Sequence, residues 1–401
     1  MMRSEAKDSV DGQGMLHRGR GGDVLVMSLR RRADLVAYCT YYELEDIIVE
    51  LTGADRFDIG EVRAPELSRR VFKALRYLSG SRDLAWRWAP KPSAVAFDRH
   101  YELFLPIFTH PHELFALASV PNWRKSCRVA ACFIAEMWEH LLPGYLLELL
   151  KDFDHVFIGV QHPVKAVAKI TGRPCSYLPL AADVMQFSPY PHFPERVIDV
   201  CNIGRRSPIA HRALMSLAHA GKIFYYYDTV AASGVDGKQR TFHVQDAGEH
   251  RLLFANLLKR SRYYVANRSL VNDPAFTRGR QEISGRFYEG AAGGAVMIGE
   301  APESEEFERQ FDWKDAIVHM PFDTPDPGRL LDELDMNPQR IAAIRENNFR
   351  NAALRHDWVH RLRSVYETLG LRPTSAMHAR EQHLAALADA AWPRSVHRAA
   401  S

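Results

Sequence analysis

Arg286 and Glu289 stand three residues apart, behind Ser284 and ahead of Gly290, Gly293 and Gly294. That spacing puts a cation and a carboxylate on one helical face near a helix start. Ser284 is a good N-cap residue, so the first turn would offer unpaired backbone N–H groups and the positive end of the helix dipole to an anion. Arg286 could add a forked, charge-assisted contact to a diphosphate, and Glu289 could accept hydrogen bonds from sugar hydroxyls. The chemistry suggested is recognition of a nucleoside diphosphate joined to a sugar. On spacing alone a plain helix-to-strand joint, with glycines for close packing and Arg286 paired to Glu289, is the commoner use of such residues.

A second anion candidate is Asn202-Ile-Gly-Arg-Arg206. Gly204 permits close backbone approach and Arg205 supplies charge, with Arg212 a turn region later. A strand-to-helix loop with solvated arginines is the competing reading. In the first half of the chain, residues that follow strands are His110, His112, Glu136, Trp138 and His162, where an α/β sheet places its binding groups. No D-x-D pattern falls in a loop suited to a divalent cation, so metal independence is expected.

The elements that would carry these residues alternate. Expected strands are Asp23 to Met27, Tyr101 to Phe108, Arg128 to Ile134, Asp154 to Val160 and Ser176 to Leu178, with helices at Tyr41 to Leu51, Leu67 to Leu78, Leu141 to Leu150 and Val164 to Ile170. Three prolines interrupt residues 183–196, which is read as a hinge. Alternation then restarts, with strands at Val197 to Ile203, Ile223 to Tyr227, Tyr263 to Asn267, Ala295 to Ile298 and Ala316 to His319. Helices are expected at His211 to Ala220 and His250 to Arg260, and a long helical tail runs from Pro338 to Leu369. Such alternation predicts doubly wound parallel sheets. The expected division is a disordered N-terminus at 1–22, a Rossmann-like domain at 23–182, the hinge, a second Rossmann-like domain at 197–371 and a tail at 372–401. The tail is either a loosely attached helix or disordered.

Length and composition agree with a two-domain globular protein. The chain has 401 residues, 46% hydrophobic and 25% charged, with a formal net charge of +3. That charge is too small, and the arginines too scattered, for a nucleic-acid partner. Five cysteines without a C-x-x-C pair suit buried thiols in a reducing compartment. The N-terminus lacks the apolar core of a secretory signal and no apolar run reaches membrane-spanning length, so a cytoplasmic location is expected. Leu67 to Leu78 carries Arg69, Arg70, Lys73 and Arg76 beside its apolar side. It could lie peripherally on the inner membrane, although a solvated outer face is the commoner use of such a pattern.

Taken in order, four pieces resemble the C-terminal half of group 1 glycosyltransferases with the GT-B fold, in particular the CgeB-type bacterial branch. They are Tyr177-Leu-Pro-Leu-Ala-Ala-Asp183, Asp199-Val-Cys-Asn-Ile-Gly-Arg205, Arg286-Phe-Tyr-Glu-Gly-Ala-Ala-Gly-Gly294 and Arg355-His-Asp-Trp-Val-His-Arg361. The resemblance runs from about Asp154 to Gly370. It implies two Rossmann-like domains facing a central cleft, with a C-terminal helix packing back. It also implies a nucleotide-diphosphate sugar as substrate, no cofactor, and a glycan or lipid-linked acceptor, as in polysaccharide biosynthesis. Glu289 would hold the ribose hydroxyls, Arg205 with Arg212 would meet the diphosphate, and a catalytic group from the first half would stand near the reacting carbon, for which His110, His112 and Glu136 are the candidates by their positions after strands. The family's further glutamate, eight residues earlier, is replaced here by Gln281 with Glu282 beside it. Hexosyl transfer with retention of anomeric configuration is the implied reaction. A sugar-nucleotide epimerase and a non-catalytic nucleotide-sugar-binding protein are the alternatives.

Overall fold

The computed structural model describes residues 14–30, 36–60, 65–89, 97–228, 232–235, 239–242, 244 and 246–390. The chain divides into two compact units. Met1–Asp34, Ile48–Gly159 and Pro163–Tyr177 belong to the first, and Leu35–Ile47, Val160–His162 and Leu178–Ser401 to the second. Residues 183–196 therefore lie inside the second unit, within its Leu178–Ser401 segment.

The first unit holds a seven-stranded sheet. Its strands are β1 (Met15–His17), β2 (Val24–Ser28), β3 (Asp55–Asp58), β4 (Tyr101–Phe108), β5 (Cys127–Ile134), β6 (His155–Ile158) and β7 (Cys175–Tyr177). Their order across the sheet is β1-β3-β2-β4-β5-β6-β7. All neighbours are parallel except β1, which runs antiparallel to β3. Burial on both faces explains why β2, β4, β5 and β6 read as continuous apolar runs. Strands β1 and β3 escape the sequence reading because Met-Leu-His and Asp-Arg-Phe-Asp carry no such run. β1 also gives order within the stretch expected to be disordered; residues 1–13 lie outside the described residues.

The Pro65–Ser79 helix differs from a simple basic face. It buries Phe72, while Arg76 pairs with Glu148 at 2.6 Å and Lys73 sits 5.5 Å from the centre of the Tyr145 ring. Leu67, Tyr77 and Leu78 are exposed. No helix of the described residues is long and apolar enough to cross a membrane.

The second unit holds a parallel five-stranded sheet. It is built from β8 (Ile198–Asn202), β9 (Tyr225–Tyr227), β12 (Ser261–Val265), β13 (Val296–Gly299) and β14 (Val318–His319), and a small hairpin, β10 (Ala232–Val235) with β11 (Gln239–Phe242), is inserted after β9. The sheet order is β14-β13-β12-β8-β9. Val200, Tyr263, Val265, Val296 and Ile298 point to one buried face, where Leu214, Leu334, Ile341 and Ile344 cover them. On the other face the Gly285–Ala292 helix lies so close that a Cβ on Gly290 would meet Met297 Sδ at 2.6 Å and Tyr264 Cδ1 at 2.9 Å. The α/β class with two Rossmann-like parallel sheets is thus present.

The expected tail helix is two helices, Pro338–Arg355 and Trp358–Thr368. Asp357 breaks it by capping the second, accepting from Val359 N at 2.9 Å, and by accepting from Val184 N at 2.9 Å. The C-terminal Ser375–Ala390 helix is anchored through Arg380, whose guanidinium reaches Asp357 at 2.8 Å and Asp183 at 2.6 Å.

Candidate functional site

The carboxyl ends of β8, β12 and β13 gather most of the residues singled out for donor binding. At the end of β8 the chain turns through Gly204 with φ +84°, a left-handed conformation that favours glycine. The Arg286 guanidinium lies directly against that turn. Its Nε donates to the Ile203 carbonyl at 3.1 Å, and a Cβ on Gly204 would overlap Nη2. Gly204 and Arg286, 82 positions apart in the chain, therefore form one surface. Gly204 N donates to Asp228 Oδ1 at 3.1 Å, and Arg206 pairs with the same carboxylate while its guanidinium carbon lies 5.3 Å from the Tyr227 ring centre. Arg205 remains exposed and touches Asn272 Oδ1 at 3.4 Å. Arg212 is exposed on the Pro208–His219 helix.

Ser284 occupies the N-cap position of the Gly285–Ala292 helix, but its hydroxyl does not cap. It donates instead to the Asn267 carbonyl at 2.8 Å, because the end of β12 offers a buried acceptor there. The Ser284 hydroxyl thus leaves the amides of Gly285 and Arg286 at this helix start to another acceptor, while Phe287 N donates to the Ser284 carbonyl at 3.3 Å. The adjacent Glu282 is buried and accepts from His162 Nδ1 at 2.6 Å. Gln281 turns the other way, accepting from Glu303 N at 2.8 Å.

Glu289 does not pair with Arg286. It is buried one turn into the helix, where Arg251 binds Glu289 Oε1. Arg251 Nε also donates to Glu43 Oε2 at 2.7 Å, and its guanidinium carbon lies 4.6 Å from the Phe187 ring centre. Glu43 further accepts from Trp358 Nε1 at 2.9 Å and from Asp183 N at 2.7 Å. Burial pushes the Glu43 carboxyl up, against the pull of Arg251. For Arg251 burial acts against the charge, but Glu43 and Glu289 outweigh it and raise the guanidinium further. A buried cation between two carboxylates holds Glu289 in a fixed rotamer, with a polar edge presented at the helix start.

In the first unit, His110 and Glu136 follow β4 and β5 at adjacent positions, joined by the Glu136 N to Thr109 O bond of 2.9 Å. Both are half-buried. Trp138 Nε1 donates to Glu136 Oε1 at 2.7 Å, and Glu113 accepts from Thr109 N at 2.6 Å. His112 is exposed on the short Pro111–Ser119 helix.

Sequence reasoning did not find Glu43, Arg251, Asp228 or the partnership of His162 with Glu282. Each partner is distant in the chain, and a lone charged residue inside an amphipathic helix carries no signal of burial. The signals present were the places of His162 and Asp228 after strands and that of Glu282 beside Gln281.

Residues 251–367 match a protein-family model described as glycosyl transferase-like. No curated protein matches the chain. Among solved structures, HepE of Anabaena in complex with UDP-glucose aligns at a TM-score of 0.46 and 11% identity, covering 86% of this chain and 99% of that one. An alpha-glucosyltransferase in complex with UDP and a DNA 13-mer containing an HMU base aligns at 0.49 and 11%, with 86% and 99% covered. The glycotransferase of kitacinnamycin aligns at 0.37 and 12%, with 87% and 99% covered.

Proposed function

We propose that the chain is a GT-B glycosyltransferase whose second unit binds a nucleoside-diphosphate sugar and whose sugar passes to a glycan or lipid-linked acceptor. The observation that carries this reading is the meeting of Arg286 with the Gly204 turn, beside exposed Arg205 and an uncapped helix start. The family-model match over residues 251–367 supports it.

In this reading Arg205, Arg286 and the amides at the start of the Gly285–Ala292 helix stabilise the charge that develops on the departing diphosphate. Arg212 is the next cation along the neighbouring helix. Glu289, fixed by Arg251, accepts from ribose hydroxyls, and Glu282 and Gln281 lie on the sugar side. These groups supply positive charge without a divalent cation, so transfer is metal-independent. The reaction is hexosyl transfer with retention. His110, His112 and Glu136 are the first unit's candidates for work on the acceptor. Bacterial polysaccharide synthesis in the cytoplasm, at the inner membrane face through residues 67–78, is the setting proposed.

UDP and GDP sugars are expected to raise the thermal unfolding midpoint. Arg205→Ala and Glu289→Gln should each remove that shift, and full retention by both variants rules the donor assignment out. EDTA should leave turnover unchanged. Proton NMR of the product reports retention or inversion directly.

One observation favours a second reading, nucleotide-sugar binding without transfer. Both carboxylates near the sugar side are already engaged, Glu282 by His162 and Glu289 by Arg251. Saturable donor binding with no hydrolysis and no transfer across a donor and acceptor panel would select it.

A further inference from the structure

At the amino edge of the second sheet, the edge opposite Gly204 and Arg286, a cavity of about 200 Å³ opens beside residues 189–194. Arg196, Arg345, Tyr190, Phe193, Phe349 and Gly294 line it with two prolines, and the arginines are the only charged residues in that lining. Tyr190 packs on Phe193 with ring centres 4.4 Å apart and on Phe349 at 4.6 Å, which makes an aromatic wall.

The two cations are held differently. Arg196 donates to four carbonyls, those of Leu258 at 3.1 Å, Ser261 at 2.6 Å, Gly293 at 2.9 Å and Gly294 at 2.8 Å. It ties together the chain entering β12 and β13, and carbonyls leave its net charge uncancelled. Burial, then the nearby Arg345 cation, disfavours the charged form of Arg196. Arg345 Nε is buried and has no hydrogen-bond partner among the described residues. A buried donor without an acceptor costs about 1–3 kcal/mol, more for a charged group. Glu346 stands next in the helix, also with a buried, unpartnered Oε1, but it does not line the cavity. Asp335 acts on Arg345 from outside the lining, so the space itself carries two cations, no carboxylate and flat aromatic walls, a combination that water alone matches poorly.

We propose that this cavity binds a small aromatic carboxylate, its anionic group beside the Arg345 side chain and its ring against Tyr190, Phe193 and Phe349. The volume admits one ring and its carboxylate, below the usual size of sites for larger ligands. This site is separate from the proposed donor site. The Gly285–Ala292 helix, roughly 12 Å long by its rise per residue, begins beside Gly204 and ends at Gly293 and Gly294, so an occupant touches its far end.

Benzoate is the probe, titrated into the full chain and followed by saturation-transfer NMR and thermal shift. Saturable binding is expected, with acetate, benzyl alcohol and inorganic phosphate each weaker by about tenfold or more. Arg345→Gln should weaken benzoate by about tenfold and leave any UDP-dependent shift unchanged. Phe193→Ala, at an exposed rim position, serves if the first variant folds poorly, and should weaken benzoate several-fold. The proposal is overturned if benzoate does not saturate, if phosphate binds as well as benzoate, or if both variants bind benzoate as the parent does.

Discussion

Arg251 concentrates the residue-scale energetics of the second unit, because a single guanidinium is shared between Glu43 and Glu289 where water is scarce. Removing one member of such a buried set leaves charge without a partner. Arg251→Met is expected to destabilise by roughly 3–5 kcal/mol in denaturant unfolding. The triple change that also replaces Glu43 and Glu289 by Gln should recover part of that loss, and the recovery separates charge from packing. Gly204 offers a second test. Gly204→Ala forces a side chain into a left-handed turn and against Arg286, so it should destabilise by about 1 kcal/mol or more. It should also weaken UDP binding, while Gly221→Ala, left-handed but with open space around it, should carry the strain alone.

Two serines at helix starts differ at the scale of the element. Ser207 caps the Pro208–His219 helix, accepting from Ile209 N at 3.1 Å and Ala210 N at 3.2 Å, and donates to Asp323 Oδ1 at 2.7 Å. Ser284 caps nothing and bonds Asn267 instead. Ser207→Ala should therefore cost about 1–2 kcal/mol, the cost of a lost cap and its further bond. Ser284→Ala should cost about 1 kcal/mol, and it should leave nucleotide binding in place, since the helix amides stay free of a side-chain competitor. On the Pro65–Ser79 helix, exposed Leu67, Tyr77 and Leu78 are the groups able to enter a lipid surface. Sedimentation with anionic vesicles should show binding that Leu67→Ser with Leu78→Ser abolishes, and equal binding by that variant rules the membrane contact out.

Acid sensitivity belongs to the whole molecule. His356 is buried, bonds the Gln310 carbonyl at 2.9 Å, and packs on Tyr288 and Phe311. Burial, with Arg361 and Arg355 nearby, holds its pKa well below the ordinary value. His155, His211, His250 and His360 are shifted the same way, each chiefly by burial. Their folded pKa values are lowered, so the unfolded chain takes up protons that the folded chain refuses. Stability should be full above about pH 6.5 and fall as the pH drops below it, by at most about 1.4 kcal/mol per pH unit for each such histidine. Denaturant unfolding between pH 7.5 and 5 measures the slope, and His356→Phe should flatten it.

The sequence by itself determined the alternation of strands and helices, since β2, β4, β5, β6, β8, β12 and β13 are buried runs bounded by turn residues, legible from hydrophobic pattern alone. It also marked Gly204, Arg205, Ser284, Arg286 and Glu289 as residues able to bind a diphosphate and a sugar. Strands β1 and β3 and the break at Asp357 needed partners far along the chain, so local pattern could not announce them. Only the tertiary structure decided that Arg286 turns to Gly204 rather than to Glu289, and that Glu289 belongs to Arg251 and Glu43. The physical reason is that an i to i+3 pair on a helix gains only a few tenths of a kcal/mol, whereas a buried carboxylate left without a cation costs several. Long-range burial therefore overrules local spacing.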